Sequence, residues 1–239
     1  MKSFKLKRKS IKRNFKKRTY KRRSLRTKAS VPRTFLPFPP VIRRKLVYST
    51  QIALTQATAG IPVHHIFRAT SLFDPDYTGV GSQPRYYDTI CGANNTTAIY
   101  SKYRVLRASI SCKVFPTTSS ATDGNSIVSI IPVIDYLFQP SSLKEMVERP
   151  NCRYVSMTGL GSWKPYTVKS HMVPHKFLGY KDAKDADNLI GPYNNNPTSN
   201  GYFIISLCAV PFLGIATSTI MVKIVYDAEF WDLNDVADS

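Results

Sequence analysis

No carboxylate occurs in the first 73 residues of this 239-residue chain; the first is Asp74. That stretch holds 20 Lys or Arg, whereas everything after it holds 14 against 15 Asp and Glu. The formal charge of +19 is therefore an appendage on a nearly neutral body. A domain with a detachable polycation is suited to holding a polyanion, and nucleic acid is the obvious one.

Cysteine is also scarce. Cys91, Cys112, Cys152 and Cys208 include no CxxC pair, which leaves a structural zinc site without support. Cys112 and Cys208 fall in apolar strand patterns and read as buried thiols. No GxSxG, HExxH or Walker-type loop occurs. His64 and His65 are adjacent, so on a strand their rings face opposite ways and cannot share a metal. His171 and His175 are four apart, but Pro174 breaks the helix that would converge them. Asp182, Asp185 and Asp187 lack the glycine and terminal Glu of a calcium loop and read as a solvated loop. The expectation is a protein that is not an enzyme, with no cofactor and no metal. The cationic N-terminus has no apolar stretch ahead of a small-residue cleavage site, so no secretory signal is expected. The acceptor patterns at Asn94 and Asn95 are then idle loop residues.

The cations concentrate at the start. Residues 1–28 contain Lys2, Lys5, Lys7, Arg8, Lys9, Lys12, Arg13, Lys16, Lys17, Arg18, Lys21, Arg22, Arg23, Arg26 and Lys28. Such a block repels itself and has too little apolar surface to offset its chain entropy, so a disordered arm is expected. A basic amphipathic helix on an anionic membrane is the other reading, but only Ile11 and Phe15 stand at i, i+4 spacing. Lys and Arg neutralise phosphates with little base discrimination, while Phe4, Phe15 and Tyr20 could stack on unpaired bases. The clusters Lys16-Lys17-Arg18 and Lys21-Arg22-Arg23 also fit a nuclear localisation signal. Residues 29–45 carry four prolines and read as an extended arm that ends in a second basic cluster, Arg43-Arg44-Lys45. All three are assigned with the arm as nucleic-acid-binding residues, which places the domain boundary at 45/46.

The remaining stretch of about 190 residues is enough for one full core. It is rich in Tyr, Phe, Pro and β-branched residues and poor in helix-propagating runs, so an all-β body is expected. Residues 202–222 are uncharged over a length that could span a membrane, yet Pro211, Gly214 and Thr217-Ser218-Thr219 spell strand, turn, strand. No membrane insertion is expected. Period-2 alternation places strands at 47–55, 63–70, 101–115, 126–135, 152–158, 166–173, 202–212 and 219–231. In the third, Leu106, Ala108, Ile110, Cys112 and Val114 share one face. Residues 141–149 form the one helix of any length, with Ser142 and Glu145 placed for a capping box. Loops 71–98 and 174–200 are long enough to be functional, contacting neighbouring copies or facing outward.

Eight antiparallel strands with two Greek keys describe the jelly-roll sandwich, a fold of viral shells, lectins and cupins. The basic arm weights that choice toward a shell that packages nucleic acid. The alternative is a non-viral nucleic-acid-binding β module with a basic extension, which would want cations on the domain as well. A lectin or cupin-like enzyme lacks the metal histidines and gives the arm no purpose.

The run Phe67-Arg68-Ala69-Thr70-Ser71-Leu72-Phe73-Asp74-Pro75-Asp76-Tyr77-Thr78-Gly79-Val80-Gly81-Ser82-Gln83-Pro84 has further matches at Tyr87-Asp88 and Tyr100-Ser101-Lys102-Tyr103-Arg104-Val105. With the closing Tyr226-Asp227-Ala228-Glu229-Phe230-Trp231-Asp232-Leu233, it resembles capsid proteins of small circular single-stranded DNA viruses, circovirus-like ones included. The resemblance implies a single jelly roll, an arm facing the shell interior, and a small icosahedral (T=1) particle of about 60 copies. It further implies a packaged single-stranded DNA genome, nuclear import receptors and a host cell-surface receptor or attachment factor as partners, and residence in the virion and the host nucleus. The arm here has nine Lys to six Arg, whereas circovirus arms are strongly Arg-rich.

Overall fold

The computed structural model describes residues 38–79, 82–91, 98–116, 125–157, 165–210 and 215–234. Phe38 opens the compact unit that contains all of them. The first strand, β1 (Val41–Thr55), is followed by β2 (Val63–Arg68), β3 (Tyr100–Pro116), β4 (Asn125–Val133), β5 (Arg153–Met157) and β6 (Tyr166–Met172). A three-residue β7 (Ile190–Pro192) precedes the long closing pair β8 (Tyr202–Val210) and β9 (Thr217–Leu233). Each of the eight strands expected from alternation is present. Only β7 is unforeseen, because three residues are too short to show a period.

The strands form two antiparallel sheets, β1-β9-β3-β6 and β2-β8-β4-β5, with β7 paired to β3 beside the first. Most connections cross from one sheet to the other, and this order of strands is the jelly roll. Burial accounts for the β8 part of the uncharged run. Every residue of β8 except Val210 is buried, because β8 lies between β2 and β4 with one face on the inter-sheet core and the other in a second apolar cluster with Ile66, Ile131 and Met146. No helix among the described residues is long and apolar enough to cross a membrane.

The core between the sheets contains Phe67, Tyr103, Ile110, Ile130, Phe203, Tyr226 and Phe230, each at most 1 % exposed. Burying a side chain of this size stabilises by roughly 1.5–3 kcal/mol. A bulge between Val105 and Arg107 shifts the register of β3 against β9. Leu106, expected on the buried face, is the half-buried bulge residue, and the pleat resumes with Ala108, Ile110, Cys112 and Val114 inside. The extra residue flips the alternation, so that Arg107, Ser109, Ser111 and Lys113 share the outer face.

The helices are short. Tyr87–Ile90 forms α1, a turn foreseen near Tyr87 to Cys91, and α2 is Leu143–Glu148. Ser142 caps α2 by accepting from the Glu145 N–H, but the Glu145 carboxylate accepts from the Ser141 N–H at 2.8 Å, one residue earlier than a reciprocal box requires. Pro174–Phe177 forms α3. The two long loops are tied to each other. Ser71 Oγ donates to Asn196, Tyr87 Oη to the Tyr193 carbonyl at 2.8 Å, and Thr70 Oγ1 to Asn200 at 3.0 Å.

Candidate nucleic-acid interface

The fifteen cations assigned to the arm, Lys2 to Lys28, lie outside the described residues, and so do both nuclear-localisation clusters. Arg43, Arg44 and Lys45 are described. They are paired residues of β1, opposite Glu229, Ala228 and Asp227 of β9, so the strand begins ahead of the expected boundary at 45/46. Three charges in a row interrupt the alternation there, which is why the sequence reads as arm. Arg43 forks onto Asp227, with Nε on Oδ1 at 2.7 Å and Nη2 on Oδ2 at 2.5 Å. This hydrogen bond, then the charges of Arg43, Lys45 and Arg107, hold the Asp227 carboxyl below its ordinary range. Arg44 and Lys45 are exposed and form no direct ion pair among the described residues, although the Lys45 charge acts on Asp227.

The Phe67-to-Pro84 run proves to be structural where it is described. Residues 74–78 fold back along β2, the outer strand of the second sheet. The Arg68 N–H donates to the Pro75 carbonyl at 2.8 Å, the Tyr77 N–H to the Ile66 carbonyl at 3.0 Å, and the Ile66 N–H to Thr78 Oγ1 at 3.1 Å. Outward backbone groups of Ile66 and Arg68 that β2 would otherwise leave open are thereby satisfied. Arg68 pairs with Asp74 and stacks over Tyr77, which packs on Tyr136 and Tyr202. Gly79 lies so close to Asp76 that a Cβ there would meet its carboxylate at 2.6 Å.

The two adjacent histidines point to different partners. His64 bonds Ser206 Oγ at 2.8 Å and the Pro140 carbonyl at 3.0 Å, while His65 bonds Asp76 at 2.8 Å. Burial lowers the His64 pKa. Among the described residues no three His, Cys, Asp or Glu gather as metal ligands would. Cys91, Cys112 and Cys208 are buried, and burial pushes the Cys91 and Cys112 thiols up to about 12. Such thiols are poor nucleophiles at neutral pH.

Two surfaces invite partners. At the far end of β4, Ile134, Leu137 and Phe138 are all more than 40 % exposed, beside a hollow of about 330 Å³ that Phe138, Arg149 and Phe177 line. Clustered exposed apolar groups of this kind mark contact sites between proteins. The second is a basin of about 440 Å³ on the outer face of the first sheet, lined by Arg107, Ser109, Ser111, Lys169, His171 and Lys223. Sequence reasoning passes over these cations because each stands alone in its strand.

No family model matches the chain, and neither does any curated protein. Solved structures similar to it include the 60-mer capsid protein of BFDV (beak and feather disease virus), at 12 % identity over 84 % of this chain and 100 % of that one, TM-score 0.48. The decameric form of that capsid protein is similar at 13 % identity over 80 % and 98 % of the two chains, TM-score 0.43. An empty turnip yellow mosaic virus particle gives 12 % over 84 % and 86 %, TM-score 0.39. The likeness is one of fold. The jelly-roll topology rests on the strand pairing of this chain itself.

Proposed function

We propose that this chain is a non-enzymatic viral capsid protein that self-assembles into a small icosahedral shell and packages single-stranded DNA through its basic arm. The observation that carries the reading is the juxtaposition in one chain of a complete jelly roll and, directly before its first strand, a cationic segment without a single carboxylate. A jelly roll alone serves lectins and enzymes as well as shells. An arm of fifteen cations alone serves any nucleic-acid-binding module. Together they describe a subunit whose domain meets other copies and whose arm holds a polyanion.

Electrostatics sets the scale of packaging. About 60 copies with fifteen arm cations each would bring about 900 charges into one particle, enough to offset a similar number of phosphates. The binding is sequence-blind and steeply salt-dependent. On the same reading the arm carries the subunit into the host nucleus, and the exposed loops and apolar patch serve neighbouring copies and a cell-surface attachment factor.

Negative-stain electron microscopy of nuclease-treated full-length protein tests the proposal. Uniform closed shells, with or without added single-stranded DNA, are expected. Monomers or irregular nucleic-acid complexes under both conditions would overturn it in favour of a binding module.

A further inference from the structure

The near-neutral charge of the body conceals a separation of charge. The strands of the first sheet hold only three carboxylates, all on β9, and each already faces a cation. Asp227 bonds Arg43, Glu229 lies 3.4 Å from Arg104, and Asp232 lies 3.0 Å from Lys102. Arg44, Lys45, Arg107, Lys113, Lys169 and Lys223 have no carboxylate within ion-pair distance among the described residues. The remaining described acids stand outside this sheet, in residues 74–88 and 135–187.

Register brings four of the unpaired cations, Arg107, Lys113, Lys169 and Lys223, together on the outer face. Ser111 is the partner of Lys223 on one side and Lys169 on the other, which sets the two lysines about 10 Å apart across three strands. Lys113 lies one pleat repeat beyond Ser111, and Arg107 two repeats the other way, on the outer face only because of the bulge. Ser109 and Ser111 place hydroxyl donors on the basin floor. A second hollow adjoins it around the edge of β6, sharing Ser170 and His171 and adding Arg153 and Lys176. Neither hollow has a carboxylate on its wall.

We infer that this outer sheet face is a second binding site for the phosphate backbone of single-stranded nucleic acid, built into the folded domain and separate from the arm. Phosphates along an extended strand are anions repeated at a spacing of several ångströms, and unpaired lysines with serine donors between them match that pattern. Exposed Phe115 and Met221 on the same face, beside Lys113, offer apolar surface to an unstacked base, which a sulfated polysaccharide would not use. The inference takes its ligand from the proposed packaging role. On that reading, it also turns this face of the subunit toward the packaged strand.

The test is a lysine-acetylation footprint of the full-length protein, free and bound to oligodeoxythymidylate, read by mass spectrometry. Lys113, Lys169 and Lys223 are expected to be protected, and the exposed Lys144 of α2 and Lys184, both outside the sheets, to be modified equally in both states. Replacing both Lys169→Gln and Lys223→Gln should make the slope of log K against log salt shallower by about 1.4, two contacts at 0.7 each for a single strand. The control pair Lys144→Gln and Lys184→Gln should leave it unchanged. Binding with protection confined to the arm lysines would overturn this inference and leave the packaging role standing. Absence of any binding by the full-length protein would overturn the packaging role itself. Equal protection in particles emptied of nucleic acid, or protection by heparin and not by the oligonucleotide, would also overturn the inference, reassigning the face to contact between copies or to a glycan.

Discussion

Gln56 shows how one polar side chain can hold several backbone segments. It is 1 % exposed, and its Oε1 accepts from the N–H groups of Ala209 at 3.0 Å and Ala216 at 3.3 Å. Its Nε2 donates to the Thr58 carbonyl at 2.9 Å. The strand ends of β1, β8 and β9 thus converge on one amide. Truncating it strands two buried donors, each costing about 1–3 kcal/mol, while the carbonyl of exposed Thr58 turns to water. Gln56→Ala is expected to lose about 2–4 kcal/mol, read as a lower denaturant midpoint without a change in m-value. Nothing in the sequence marks this residue, since a glutamine after a strand looks like any turn residue. Only the approach of 209 and 216 from another part of the chain reveals its role.

At the scale of the element, the Arg43–Asp227 fork joins β1 to β9 and makes their pairing sensitive to acid. The Asp227 carboxyl is held low in the folded protein, chiefly by the Arg43 hydrogen bond. The folded state therefore binds fewer protons than the unfolded one below the ordinary carboxylate range. Stability from the pair is complete above about pH 4 and is lost as pH falls through the folded-state pKa. Arg43→Gln should lower the melting temperature at pH 7, with the gap to the parent closing at strongly acidic pH. A gap that persisted there would assign the loss to packing of the arginine stem instead. The elements themselves were mostly legible, because alternation survives wherever one face of a strand is buried and the other wet. It failed in β1, where Arg43-Arg44-Lys45 mask the first residues, and in β3, where a bulge shifts the face by one residue. Charge on the outer sheet face was not legible at all. Lys169 and Lys223 become neighbours only through Ser111, and pairing register is a property of the folded sheet.

For the whole molecule, the arm and the domain are separable by charge. Deleting residues 1–28 should leave the melting transition of the domain in place while abolishing nuclear accumulation and most nucleic-acid content. Those outcomes are read by circular dichroism, by fluorescence microscopy of a tagged protein, and by the absorbance ratio at 260 and 280 nm. Residual oligonucleotide binding by the deletion protein would be expected from the domain's own cationic face, and its salt slope would be far shallower than that of the full chain. Full packaging by the deletion protein would refute the role of the arm. A sequence-level net charge near zero for the body speaks against nucleic-acid contact only if the charges are mixed; here they are sorted by side.

The position of β1 carries one more consequence. It is fifteen residues long and, among the described residues, no strand pairs with its outer side, so a row of its backbone donors and acceptors faces away from the sheet along one flank. Such a flank is a template for adventitious β-pairing between chains, and lysine or arginine on it is a common safeguard against amyloid-like stacking. Arg44 and Lys45 occupy the start of that flank, unpaired and exposed. In the proposed shell, their charge would keep two subunits from zipping together strand to strand at high local concentration, so that curvature and closure, rather than fibre growth, become the accessible route.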